Sequence, residues 1–281
     1  MLFRSITNTL SPGDTVLAAR FGMFSHRWID LCQRHRINVE IIETPWGQGA
    51  PLAAIEKALK ADKAGHIKAV LATHNETATG VRSDIAGIRR AMDAAGHGAM
   101  LFVDGVSSIA SMPFDFAGWG VDIAVAGSQK GFMLPAGLAI LGISPRAITA
   151  METAQLPRTF FDFRDMLAAY ARGGYPYTPA VGLIAGLAHS IELLEDEGLD
   201  NVYARHHRLA EGVRRAVAAW GMTPYAASAD LCSDTVTAVK VPEGCNGTDL
   251  VQLAASKYGM AFGVGLGEVA GKVFRIGHLG M

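Results

Sequence analysis

The chain has 281 residues, half of them hydrophobic, and 25 basic side chains against 26 acidic ones. This suits one large domain, or one large and one small, and excludes a basic stripe for nucleic acid, an acidic tail and a membrane span. Cys32, Cys232 and Cys245 are far apart and match neither a zinc site nor a disulfide framework, and MLFRSITNTL lacks a signal-peptide core, so a reducing compartment, the cytoplasm, is expected.

Short apolar runs alternate with helical patterns through the first half. Strands are predicted at 15–19, 39–43, 67–72, 100–103, 121–126 and 139–143, with helices at 26–36 and 51–62. A further helix is expected after Ser83 as N-cap, with Ile85, Ile88 and Met92 on its buried face and Gly96 at its end. Apolar strands separated by crossover helices imply an α/β sheet covered on both sides. Residues 150–177 hold six aromatics and three arginines and are expected to form an irregular connector, packed either on a partner subunit or on the chain itself. Helices at 180–197 and 201–220 follow, then a strand at 235–241, a helix at 248–258 and a strand at 271–276. These last elements form a smaller α+β unit, so the division expected is 1–178 and 179–281. His206 and His207 are expected on a solvated helix face, while His26 and His74 are open to a pocket role.

Three strand ends carry chemistry. The run VDIAVAGSQKGFMLPAG places Lys130 after a buried strand. Desolvation there would lower its pKa and free the amine to attack a carbonyl, although a lysine snorkelling from a strand end fits as well. Asp104, in LFVDGVSS, ends another buried strand at the edge where open α/β sheets bind ligands. It could face a ligand or cap its own turn. The third run, THNETATG, offers short hydroxyls at the same edge. The glycine-rich run from Gly263 to Lys272 fails the phosphate-loop pattern at Leu266 and Val273, and neither GxSxG nor HExxH occurs.

Together THNETATGV, LFVDGVSS and GSQKGFMLPAG resemble the class V, fold-type I, pyridoxal-phosphate aminotransferases, most nearly those of the serine–glyoxylate and alanine–glyoxylate kind. The likeness runs from ITNTLSPGD to KVFRIGHLGM. It implies a mainly parallel sheet flanked by helices with a small α+β unit, pyridoxal 5′-phosphate as cofactor, and transfer of an amino group from serine or alanine to glyoxylate or a similar 2-oxo acid. It also implies roles. Lys130 would hold the cofactor covalently and move the substrate proton, and Asp104 would pair with the ring nitrogen. Val106 and Phe24 would pack on the two ring faces, Thr77 would bond the ring oxygen, and Gln129 the phosphate. Tyr175 and Thr178 would reach the phosphate of a partner subunit, implying a homodimer. Arg275 would bind the substrate carboxylate.

The family also carries, ahead of ITNTLSPGD, a glycine-rich turn opening a helix that holds the phosphate. MLFRS does not resemble that segment, and the small unit stops before its usual closing helices. A chain shortened at both ends is therefore expected, with two alternatives to a transaminase: a lyase or desulfurase of the same fold, or a catalytically impaired remnant. A desulfurase would need a cysteine on a mobile loop, and no cysteine here sits in a recognisable one.

Overall fold

The computed structural model describes residues 2–280. It opens with α1 (Leu2–Thr9), a helix where none is predicted, whose Ile6 enters the core. Then come β1 (Thr15–Arg20), α2 (Met23–Arg34), β2 (Asn38–Glu43), α3 (Leu52–Ala61) and β3 (Ile67–Thr73). A short ribbon, β4 (Asn75–Glu76) and β5 (Val81–Arg82), precedes α4 (Ile85–Ala94), β6 (Met100–Asp104), β7 (Ile123–Gly127) and β8 (Ala139–Ile143). The expected strands are thus all present, while α2 starts three residues ahead of its predicted start.

Asp84, and not Ser83, caps α4: its Oδ1 accepts from Gly87 N at 2.7 Å. Ser83 Oγ instead accepts from Ala50 N, because Asp84 stands one residue nearer the first helical amides.

Six strands form one sheet in the order β2-β1-β3-β6-β7-β8, parallel except where β8 runs against β7. Two apolar cores cover its faces, as the continuous hydrophobic strands require. Ile6, Leu10, Trp28, Ile29 and Ala147 belong to one. Ile55, Leu59, Ile85, Ile88 and Met92 belong to the other.

The connector corrects the expectation of irregular chain. Its start lies in α5 (Pro145–Thr153), capped by Ser144 with proline in the first turn, and its middle is α6 (Phe163–Tyr170), capped by Asp162. Part of it packs on α1. The Arg4 guanidinium stands 3.5 Å over the Phe161 ring, and Asn8 both donates to Phe161 O (3.0 Å) and accepts from Phe163 N (2.8 Å).

Next are α7 (Val181–Glu197) and α8 (Leu199–Ala219), separated by Gly198 at φ 80°. His206 on α8 is buried, against expectation: its Nδ1 faces Val202 O at 2.8 Å and its Nε2 accepts from Gly280 N at 3.2 Å. Only His207 faces solvent, near Asp234. The remaining elements are β9 (Thr223–Pro224), β10 (Val236–Lys240), α9 (Gly247–Tyr258), β11 (Gly263–Val264) and β12 (Val273–Gly277). The strands form an antiparallel sheet, β11-β12-β10-β9, packed around Val217, Val239 and Phe274. Among the described residues no helix is long and apolar enough to cross a membrane.

Candidate active site

Strands β3, β6 and β7 are neighbours and end at one edge, with Thr73 beside Asp104 and Asp104 beside Val125. The loops beyond them meet. His74 N donates to Asp104 O (3.0 Å) and Gly105 N to Val125 O (2.9 Å).

The loop after β3 is a compact turn. Thr79 N and Gly80 N both donate to Glu76 O, and Gly80 takes φ 67°. An alanine Cβ at Gly80 would lie 2.9 Å from Ala238 N and 3.0 Å from Val236 O, so the glycine lets the second sheet close onto this loop. Asn75 completes the join: its Nδ2 donates to Ser107 Oγ (2.9 Å) and Thr235 Oγ1 (2.8 Å). Thr77 Oγ1 lies 2.7 Å from Ser107 Oγ.

Asp104 is buried, and its Oδ1 accepts from Val106 N at 3.0 Å. Burial pushes its pKa up to about 6; the Val106 hydrogen bond opposes this and the nearby Glu76 charge adds to it. Lys130 lies just past β7. Gly131 beside it approaches the 109–111 backbone so closely that a Cβ would sit 2.2 Å from Ile109 O, which fastens the lysine loop to the loop after Asp104. The Lys130 amine is pushed below its ordinary pKa, first by burial and then by the Arg275 charge.

Arg275 comes from β12. Its Nε donates to Val264 O (2.9 Å) and its Nη1 to Thr77 O (3.2 Å). A cavity of about 360 Å³ is lined by Thr77, Ser107, Gln129, Lys130, Thr235 and Arg275, among others. It holds two cations and no carboxylate among its described lining residues, so it suits an anionic ligand. A larger opening, about 880 Å³, lies at the far edge of the sheet near Lys68, His97 and Arg146 and gathers none of the predicted residues.

Four of the predicted residues, Thr77, Gln129, Lys130 and Arg275, therefore meet in one cavity. Asp104 and Val106 lie at the adjoining strand end. Phe24 is half-buried on the first turn of α2, with the Arg27 guanidinium 5.2 Å from its ring centre. Tyr175 and Thr178 are exposed and outside this cavity. His74 is buried against Phe114 and Trp119, away from the cavity lining. Not anticipated were Asn75, Ser107 and Thr235, which join the two sheets, and Glu76, fully buried beside Thr77. The available signal for Glu76 was an acidic residue three positions past a buried strand, in a run of short polar and small side chains.

The family model described as aminotransferase class-V matches residues 1–272. The chain is 66% identical over 276 residues to an L-aspartate–glyoxylate aminotransferase of Paracoccus denitrificans, covering 98% of this chain and 70% of that one. It is 52% identical to a serine–glyoxylate aminotransferase of Hyphomicrobium methylovorum, covering 99% and 69%. The crystal structure of an alanine–glyoxylate aminotransferase from Nostoc sp. superposes with a TM-score of 0.92 at 29% identity, over 100% of this chain and 74% of that one.

Proposed function

This chain belongs to the class-V aminotransferases, which are pyridoxal-phosphate enzymes, and from that premise we propose that it moves an amino group from serine or alanine to glyoxylate at the cavity around Lys130. The observation that carries the reading is the convergence of Lys130, Thr77, Gln129 and Arg275 from separate segments onto one cavity beside a buried Asp104.

Pyridoxal phosphate, when bound, supplies the electron sink that amino transfer requires. The residues present fit it. The cavity has an excess of positive charge for a phosphate and a hydroxyl pair for a ring oxygen. Asp104, with its raised pKa, can share a proton with a ring nitrogen. Val106 and Phe24 would pack on the ring, and Gln129 would bond the phosphate. Tyr175 and Thr178 would serve the site of a second copy, which makes the enzyme a homodimer.

Arg275 would hold the donor carboxylate through its guanidinium, which Val264 O and Thr77 O orient. Burial and the Arg275 charge increase the unprotonated fraction of Lys130. That amine would hold the cofactor and, once released, its Nζ would take the proton from the donor Cα. In this reading residues 1–178 form the cofactor-binding unit and 179–281 the unit that brings Arg275. The free cysteines suit a cytoplasmic enzyme.

A second reading, aspartate as donor, is favoured by the 66% identity to a relative named for that substrate. A desulfurase gains no support, since no cysteine lines the cavity among the described residues.

The test is a visible absorption spectrum of the purified chain with pyridoxal phosphate, beside Lys130→Ala. We expect a cofactor band that depends on Lys130 and bleaches on adding the donor, with glyoxylate then yielding glycine. Serine, alanine and aspartate offered in turn identify the donor. A folded wild type without such a band would overturn the reading.

A further inference from the structure

Glu76 is a buried carboxylate that the scheme above leaves unused. It is fully buried, and N–H and O–H donors meet its charge. Oε2 accepts from Phe24 N (3.0 Å), Ser25 N (2.9 Å) and Ser25 Oγ (3.2 Å), and Oε1 accepts from Ala78 N (3.2 Å). The Phe24 and Ser25 amides belong to the first turn of α2, which has no intrahelical acceptors for them and where the helix dipole favours a negative charge. The space is made for it: a Cβ on Gly22 would lie 2.1 Å from Glu76 Cγ.

These contacts join two pieces of chain about fifty residues apart. One is the turn that carries Phe24; the other is the loop that carries Thr77. We propose that Glu76 is a positioning residue of the cofactor site, its carboxylate locking the Phe24 turn to the Thr77 loop so that both contacts are set before the cofactor enters. The inference rests on the cofactor reading above. A carboxylate suits the task because both its oxygens only accept. A glutamine would turn an NH2 group towards the same amides, and a buried donor left without an acceptor is costly. Burial raises the Glu76 pKa, and the hydrogen bonds from Ser25, Phe24 and Ala78 oppose that rise by favouring the charged form.

The experiment measures the dissociation constant for pyridoxal phosphate, the circular dichroism of the bound cofactor, and the melting temperature of the cofactor-free protein. It compares wild type, Glu76→Gln, Glu76→Asp and Ser25→Ala. In Glu76→Gln we expect affinity to fall about tenfold or more and the cofactor dichroism to change, with part of both recovered in Glu76→Asp. A contribution to folding alone would lower the melting temperature without altering the dichroism. A folded Glu76→Gln that binds within about twofold of wild type, with the same dichroism, overturns the proposal. Should Glu76→Gln not fold, Ser25→Ala decides: it takes one donor from Glu76 and leaves both amides, and because Ser25 Oγ also accepts from Phe21 N (3.2 Å) the melting temperature is read beside the affinity. About threefold weaker binding with an altered dichroism supports the proposal, and unchanged binding overturns it. If wild type itself binds no cofactor, the functional reading falls and this inference with it; wild-type binding with unaffected variants sinks this inference alone.

Discussion

Two segments of this chain lie outside the main strands and carry predicted cofactor contacts, yet they are built in opposite ways. In residues 74–82 nearly every side chain is buried, and Asn75, Glu76 and Thr77 hold hydrogen bonds to distant parts of the chain. In residues 154–180 large aromatics face outward: Tyr170 is 76% exposed and Tyr175 56%. The first segment finds most of its hydrogen-bond partners within the chain, since a buried polar group without one is costly; His74 Nδ1 and Asn75 Oδ1 are the exceptions among its described side chains. The second leaves large aromatic side chains exposed, which fits the proposed contact with a second copy.

Glycines test the contrast most sharply. Gly80 and Gly173 both adopt positive φ, 67° and 73°. Around Gly173 nothing lies within 4 Å of an added Cβ, whereas at Gly80 the backbone of β10 stands in the way. Alanine at either position incurs the left-handed strain, roughly 1 kcal/mol. At Gly80 the clash adds to it, for a total loss of about 3 kcal/mol or more. Denaturant unfolding of the two variants should separate them clearly, and equal losses would mean that the buried loop can yield as freely as the exposed one.

Asp104, beneath the first segment, gives the next effect. Its folded pKa of about 6 lies above the ordinary 3.8, so between those values the folded chain binds the proton more tightly than the unfolded chain does. The stability tied to it therefore falls as pH rises through that window. Asp104→Asn should stabilise the cofactor-free protein by about 3 kcal/mol at pH ~7.5 and about half as much near pH ~5. It should weaken cofactor binding at the same time. Buried His74 and half-buried His278 work in the opposite sense: their pKa values, about 3 and about 4, make stability drop as pH falls below the ordinary histidine range. Urea unfolding against pH, for Asp104→Asn and wild type, checks the sign. A variant less stable than wild type at neutral pH would show that the Val106 hydrogen bond outweighs the burial.

How much of this was legible follows from the range of each interaction. The strands at Ile67–Thr73, Met100–Asp104 and Ile123–Gly127 announce themselves by largely apolar runs, interrupted only at Lys68 before their polar ends, and so the positions of Asp104 and Lys130 could be read directly. Glu76 could not, because its role is made by amides of Phe24 and Ser25, which only the packing of α2 brings near. His206 is buried and accepts from Gly280 N, a partner 74 residues away that no helical periodicity encodes. The helix α6 is masked by a dense run of aromatic residues, and α5 by its short length and mixed pattern, although Ser144-Pro145 and Asp162 carry ordinary start signals. Arg275 had no local signal at all. Its orientation depends on Val264 and Thr77, and only the family resemblance pointed to it.

The smallest effect on folding, and the one that bears on the second segment, should come from Tyr175→Ala. Tyr175 lies largely in solvent, and among the described residues its ring stacks on no other aromatic, whereas Tyr177 stacks on Phe160 with centroids 4.3 Å apart. Truncating an exposed side chain should change the stability of the dilute, dissociated chain by no more than about 0.5 kcal/mol. If the exposed aromatics are an interface between two copies, the same substitution should shift the association equilibrium towards monomer by tenfold or more, since buried tyrosines are frequent anchors of such surfaces. Sedimentation over a range of concentrations reads that shift directly. A variant that associates like wild type but unfolds more readily would place Tyr175 with the first segment, as a side chain whose partners lie within its own chain.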